Sequence, residues 1–120
     1  MSDGNRASLE ERIKAFVSLY NEAEKVYKGV QQIVLRIDAQ IHNEFRYCAR
    51  GLTDFLCHMS SENAQDHDAA IALLSRADHA ARNALNDSID LIVAYAKIEI
   101  QKLASVDTGR PISSYYTDFV

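Results

Sequence analysis

The fold is decided by residues 8–41, which read SLEERIKAFVSLYNEAEKVYKGVQQIVLRIDAQI. Apolar residues recur along this stretch at alternating spacings of four and three: Leu9, Ile13, Phe16, Tyr20, Ala23, Tyr27, Val30, Val34, Ile37 and Ile41. We call them the first seam. Such heptad spacing is typical of a helix that packs along one edge against other helices. The sequence therefore predicts that this edge is buried in a helical assembly.

The start and the length of the first helix follow from local signals. The motif SLEE at residues 8–11 is a capping box, in which the serine and the last glutamate satisfy free backbone amides. Gly29 does not disturb the spacing and has no turn residues around it, so we predict one continuous helix over residues 8–60. A turn at Gly29 is the alternative. After Ile41 the spacing shifts by one residue and continues through Phe45, Cys48, Leu52, Phe55 and Met59.

A second helical stretch is predicted after a loop at residues 60–63, with Asn63 as its N-cap and its end near Ala104. Its periodic positions are mostly small in the first half and larger in the second: Ala70, Leu74, Ala77, Ala81, Ala84, Ser88, Leu91, Tyr95 and Ile98. We call these residues the second seam. If this helix breaks, residues 86–88 (Asn-Asp-Ser) are the expected place, because their side chains compete for backbone hydrogen bonds.

These patterns predict an all-α fold, a long antiparallel helical hairpin with coiled-coil-like packing. Such a hairpin is too thin to cover its apolar surface, so we expect a four-helix bundle formed by dimerisation. Turns at Gly29 and Asp87 would instead give a monomeric four-helix up-down bundle. We expect residues 1–7 to be a flexible N-terminus, residues 8–104 a single helical domain, and residues 105–120 a C-terminal aromatic tail.

Composition and charge narrow the function classes. The chain has 120 residues, of which 13 are basic and 17 acidic, and its net charge of −4 argues against a nucleic-acid binder or a polybasic membrane anchor. No apolar run approaches the roughly 20 residues of a membrane span, and no secretory signal is visible. Cys48 and Cys57 are too far apart on one helix to pair. Free thiols favour a reducing compartment, so we expect a cytoplasmic protein.

Candidate binding residues lie on the polar face of the first helical stretch and in the tail. His42, Arg46 and Arg50 recur every four residues, and Asp54 and His58 continue the same polar ridge of the helix. Such a ridge is suited to contact with an acidic partner or an RNA. In the tail, the aromatic rings are costly to leave in water, and a partner or the bundle would cover them. These candidate residues of the tail are Tyr115, Tyr116 and Phe119.

Glu44 is the one acidic residue near the apolar arc, so we expect a buried carboxylate that needs a polar partner and sets the register of helix packing. The sequence has no Glu-x-x-His, Cys-x-x-Cys or His-x-x-x-His pair for a metal, and no glycine-rich loop for a phosphate. We therefore expect no metal, no cofactor and no catalytic residue.

Two short motifs resemble known families. The segment HAARNA at residues 79–84 resembles the phosphorylatable segment of histidine-phosphotransfer domains, which implies His79 as an exposed phosphoacceptor and Arg82 as a cation beside the phosphoryl group. Arg36 and His42, separated by five residues, resemble the Arg–spacer–His pair of HEPN-type RNases. That resemblance implies action on RNA by a helical dimer.

The sequence favours a non-enzymatic helical protein–protein interaction or adaptor module that acts through its helix faces and its C-terminal tail. The expected partners are a second copy of the chain, giving a homodimer, and another protein, with no nucleic acid and no membrane. The two resemblances supply the alternatives. One is a histidine-phosphotransfer-like signalling module that uses His79, and the other is a HEPN-type RNA-processing or toxin-like protein that uses Arg36 and His42.

Overall fold

Three α-helices form the part of the chain that this computed structural model describes, residues 3–34 and 38–106. They are α1 (Asp3–Val34), α2 (Ala39–Met59) and α3 (His67–Val106). The helices pack against one another, so the all-α class predicted from the sequence is confirmed. No described helix combines the length and the apolar character that crossing a membrane requires.

α1 and α2 run antiparallel and meet through aromatic side chains. Towards the end of α1 and the start of α2, the centroid of the Tyr27 ring of α1 lies 5.6 Å from the centroid of the Phe45 ring of α2. Phe45 also meets the Tyr20 ring edge-on at 6.0 Å. At the far end of the bundle, Leu9 belongs to the same buried cluster as Phe55. These large rings fill the space that separates the two helices.

α3 lies close to both α1 and α2 because its buried positions are small. Residues of α3 with no exposed surface are Ala70, Ala77, Ala81, Ala84 and Ser88. On α2, Gly51 serves the same purpose, since a Cβ atom there would be only 2.9 Å from the Ala77 backbone nitrogen. The absence of bulk at these positions lets the helix backbones approach closely.

Within the described residues, the first seam and the first half of the second seam supply much of the core of this bundle, whereas Ile98 of the second seam is 50% exposed. The fully buried residues of the first seam are Leu9, Phe16, Ala23, Tyr27, Val30 and Ile41. Leu9 and Phe16 belong to one buried cluster with residues of α2 and α3, and Tyr27 belongs to a second cluster with Ile41 of α2 and Ala84 of α3. Much of the apolar edge that decides the fold is therefore covered by helices of the same chain.

The prediction of one continuous helix over residues 8–60 is wrong. α1 ends at Val34 and α2 begins at Ala39, and the two helices fold back on each other. Gly29 lies inside α1 and Asp87 lies inside α3, so the turns that would have given a monomeric four-helix bundle do not form.

Asp38 explains why α2 begins where it does. Its carboxylate accepts a hydrogen bond from the Ile41 backbone amide at 3.0 Å, which is the ordinary geometry of an N-cap. Its own backbone amide donates to the Tyr27 hydroxyl at 3.2 Å. The start of α2 is therefore tied to the body of α1 as well as capped.

Two helix starts also differ from the prediction. α1 begins at Asp3, so the capping box at residues 8–11 lies within the helix and does not begin it. α3 is capped by Asp66, whose carboxylate accepts from the Ala69 amide at 3.1 Å, and not by Asn63. The loop before it is tied to α2, because His58 Nε2 lies 2.9 Å from the Asp66 carbonyl oxygen.

The C-terminal half of α3 is much less covered than the first half. Ser88 is the last buried residue of this helix within the described part of the chain. Beyond Asp87, the apolar side chains that are 45 to 69% exposed are Ile89, Val93, Ile98, Ile100 and Leu103. The described part of the chain is an elongated bundle of 71 × 28 × 17 Å, and no other described element covers the apolar second half of α3.

Candidate functional site

A groove of about 330 Å³ lies between α2 and α3. We call it the arginine groove. Its polar and aromatic lining consists of Glu44, Tyr47, Arg50, Arg76, His79 and Asn83. Its floor is formed by Gly51 and Ala80, whose small size leaves the space open.

The helix geometry explains why these side chains converge. Residues three or four apart share one face of a helix, and Tyr47 and Arg50 are so related on α2. On α3 the same spacing aligns Arg76, His79 and Asn83. The contact of Gly51 with Ala77 sets the register in which the two faces meet.

A second hollow of about 540 Å³ adjoins the groove, and Tyr47 and Arg50 line both. This second hollow adds Arg46, Asn43 and Thr53 from the outer face of α2. Tyr47 is 68% exposed, and no described neighbour covers most of its ring. Exposure this high is unusual for an aromatic residue. An exposed ring flanked by guanidinium groups is a common feature of binding surfaces.

The arginine side chains of this region make few ion pairs with other described residues. Arg50 Nε lies 3.6 Å from the Asp54 carboxylate, but the arginine side chain is 76% exposed. Exposed pairs of this kind contribute about 0–1 kcal/mol, so the guanidinium can turn to a ligand at little cost. Among the described residues, Arg46 and Arg76 form no ion pair. The groove is thus a local basic patch on an acidic chain.

Glu44 lies at the edge of the groove beside a second carboxylate. One of its oxygens, Oε2, is buried and makes no hydrogen bond with the described residues. Burial, followed by the neighbouring Asp87 carboxylate, raises the pKa of Glu44 to about 7. Gln40 Nε2 donates a hydrogen bond of 3.1 Å to Oδ2 of Asp87, the second carboxylate of this pair. The Glu44 carboxyl therefore holds its proton to a higher pH than an ordinary glutamate does.

The structure separates the residues of the predicted ridge. Arg46 and Arg50 line the two hollows, whereas His42 packs edge-on against the Tyr27 ring of α1, with ring centroids 5.2 Å apart. Glu44 and His79, which the sequence did not connect, meet Arg50 in the groove. The remaining candidates lie outside the described residues: Arg36, Tyr115, Tyr116 and Phe119.

The His79 motif is divided between two sides of α3. His79 is exposed at the groove, and its Nε2 lies 3.3 Å from the Asn83 side-chain nitrogen. Arg82 instead pairs with Asp78 at 3.6 Å and lines a different hollow together with Arg12 of α1. In this arrangement the imidazole has an amide neighbour, and Arg82 lines a hollow other than the one that His79 lines.

Sequence analysis missed three groove residues: Tyr47, Arg76 and Asn83. A signal for two of them was present, because Arg76 and Asn83 share a face with His79 at spacings of three and four. The spacing of residues within one helix could not show that this face lies opposite Arg50, because that depends on the register between α2 and α3.

The chemistry that these side chains support is the binding of anionic groups. Guanidinium groups donate paired hydrogen bonds to carboxylates, and the amide and imidazole can add further bonds. The described residues include no cluster of three or more His, Cys, Asp or Glu placed to hold a metal ion. Of the two free thiols, Cys57 is exposed, and burial, with a smaller effect of Asp78, raises the pKa of Cys48 to about 11.

Comparisons with known proteins found no family model, no curated protein and no solved structure that matches this chain. Its function is therefore inferred from its own side chains. The groove residues and the exposed apolar surface of α3 are the two features that a folded monomer does not explain.

Proposed function

We propose that this chain is a helical protein–protein interaction module whose arginine groove binds an acidic segment of a partner protein. The observation that carries this proposal is the convergence of Arg46, Arg50 and Arg76 around the exposed ring of Tyr47, on a chain whose net charge is −4. Arginine forks bind carboxylates in a bidentate manner, and an aromatic ring supplies apolar contact for the carboxylate stems.

The shape of the site supports a peptide segment as the ligand. The groove lies between two helices, and a third helix or an extended segment can lie in such a groove with its side chains on both walls. His79 and Asn83 offer hydrogen bonds along one wall. The Glu44 carboxyl, when it is protonated, offers a donor in place of a repelling charge.

The charge of the whole chain favours an acidic protein segment over nucleic acid. A net charge of −4 repels a long phosphate backbone, whereas a short acidic segment meets only the local basic patch. We further propose that the module acts in the cytoplasm, where Cys48 and Cys57 would remain reduced. In this proposal the tail of residues 105–120 adds a second contact with the partner.

A direct test is the binding of a fluorescent, glutamate-rich helical peptide, measured by anisotropy at low and at moderate salt. We expect saturable binding that weakens as salt rises, because exposed charge pairs are screened. Arg50→Glu combined with Arg76→Glu should weaken binding by about tenfold or more. Lys14→Glu combined with Lys25→Glu, an equal change of net charge at two exposed positions of α1, is the matched control and should change binding little.

Two results would contradict the proposal. One is equal loss of peptide binding in the double lysine variant and in the double arginine variant, which would indicate a general charge effect. The other is binding of single-stranded RNA with no binding of the acidic peptide. Circular dichroism of each variant establishes that the bundle is still folded in these measurements.

A further inference from the structure

The exposed half of α3 carries a second heptad pattern that the core does not use. Its members follow each other at spacings of four, three, four and three: Ile89, Val93, Ala96, Ile100 and Leu103. We call them the α3 stripe. The second seam continues through the partly buried Leu91 and Tyr95, on a face turned by roughly 140° from this stripe, at 100° per residue. The stripe is therefore not an extension of the core surface.

The large side chains of the stripe are 45 to 69% exposed. Scattered apolar residues on a surface need no explanation, but a continuous heptad stripe on a preformed helix is the surface that another helix covers. We infer that a second copy of this chain packs on the α3 stripe, with the two α3 helices antiparallel and related by a two-fold axis.

The charged residues beside the stripe favour an antiparallel second copy of the chain as the helix that covers it. Asp90 and Lys97 each directly follow a stripe residue, so both occupy the heptad position that faces its own equivalent in an antiparallel pair. When Val93 meets Ala96 of the second copy, Asp90 lies beside Lys97 of the second copy. The two-fold axis makes this pair twice. Within the described residues, neither Asp90 nor Lys97 forms an ion pair of its own.

A parallel arrangement has no such match. It would place Lys97 beside Ile92 of the second copy, and Glu99 beside Ala104, so no opposite charges would meet. It would also bring both bundles to the same end of the pair. The antiparallel arrangement places the two bundles at opposite ends, with the exposed halves of α3 overlapping in the middle. This interface is separate from the arginine groove and does not depend on the proposed function.

Sedimentation velocity of the full chain over a range of concentrations tests the inference. We expect reversible dimerisation with a dissociation constant on the order of 10–100 µM, since the interface is small. Ile100→Glu should abolish the dimer. Val17→Glu, at a position of α1 that is 49% exposed, is the matched control and should leave the dimer intact.

A charge exchange tests the register. Asp90→Lys places two lysines together at both symmetric positions and should raise the dissociation constant about tenfold or more. Combining it with Lys97→Asp recreates both opposite-charge pairs, so the double variant should dimerise like the wild type. A purely structural effect of Asp90→Lys would not be reversed by the second change.

Several outcomes would overturn the inference. The full chain could remain monomeric at every concentration, or Asp90→Lys could leave the dimer unchanged. The double variant could fail to recover. A chain that ends at Val106 could dimerise while the full chain does not, which would mean that residues 107–120 cover the stripe.

Discussion

The two halves of α3 have the same helical periodicity but differ in burial. The first half packs against α1 and α2, and the second half is largely exposed. Within residues 67–88 the completely buried positions are all small residues, whereas residues 89–105 include large apolar side chains that are 45 to 69% exposed. The small residues are buried because other backbones come close to them, and the large residues are exposed because no described element reaches them. Burial thus depends on the neighbours that a helix has and not on its hydropathy alone.

The largest expected difference between the two halves is in the loss of unfolding free energy when one leucine in each half is replaced by alanine. Leu74 is 3% exposed and Leu103 is 69% exposed. Leu74→Ala should lower the free energy of unfolding by about 2–4 kcal/mol, because it leaves a cavity in the core. Leu103→Ala should change it by less than about 0.5 kcal/mol. Urea unfolding, at concentrations low enough to keep the chain monomeric, measures both, and equal losses would contradict the comparison.

The next effect concerns the glycine that lets α2 approach the first half of α3. Gly51→Ala would place a Cβ atom 2.9 Å from the Ala77 backbone nitrogen, and we expect a loss of about 1–3 kcal/mol of unfolding free energy. At Gly29 a Cβ atom meets nothing within 4 Å. Gly29→Ala, also in a helix interior, should therefore stabilise the chain by about 0.5–1 kcal/mol. Thermal unfolding followed by circular dichroism distinguishes the two signs. A destabilising Gly29→Ala would show that α1 needs its glycine.

A smaller, pH-dependent effect is expected at the boundary between the halves, where Asp87 faces Glu44. The pKa of Glu44 is about 7 in the folded chain and 4.5 as its ordinary value, so the folded state binds the proton more tightly. The contribution of this group to the free energy of unfolding therefore falls as pH rises from about 4.5 to about 7. Above that range it remains low.

Glu44→Gln removes this titration. The variant should be more stable than the wild type at pH 8, by on the order of 1 kcal/mol after allowance for partial solvent exposure, and the difference should shrink towards pH 4.5. Asp87→Asn removes the second cause of the raised pKa and should move the sensitive range to lower pH. Urea unfolding of all three proteins between pH 4.5 and pH 8 provides the measurement. Parallel pH profiles for the wild type and Glu44→Gln would show that Glu44 does not titrate in this range.

The core could be predicted from the sequence because heptad spacing reports directly which side of a helix is buried. Leu9, Phe16, Tyr27, Cys48 and Phe55 were all placed in the apolar pattern by their spacing, and all are buried. The small residues of the second seam also indicated close helix approach. These features depend only on residues within one helix, which is why one sequence suffices for them.

The turn between α1 and α2 could not be recognised by spacing. Val34, Ile37 and Ile41 keep the four-and-three pattern, although α1 ends at Val34 and α2 begins at Ala39. A reversal that preserves the phase of the apolar repeat looks like a continuous helix. The one local signal was Asp38, a good N-cap residue whose role depends on the chain folding back onto Tyr27. The arginine groove was missed for a related reason, since it depends on the register between two helices.

The unbroken course of α3 has a mechanical consequence. His79 in the groove and Ala96 at the centre of the stripe belong to one rigid rod, so they stay roughly 25 Å apart at 1.5 Å of rise per residue. Ligands bound at these two places are therefore held at a fixed distance from each other. A tethered pair of ligands would gain avidity only when its linker spans that interval.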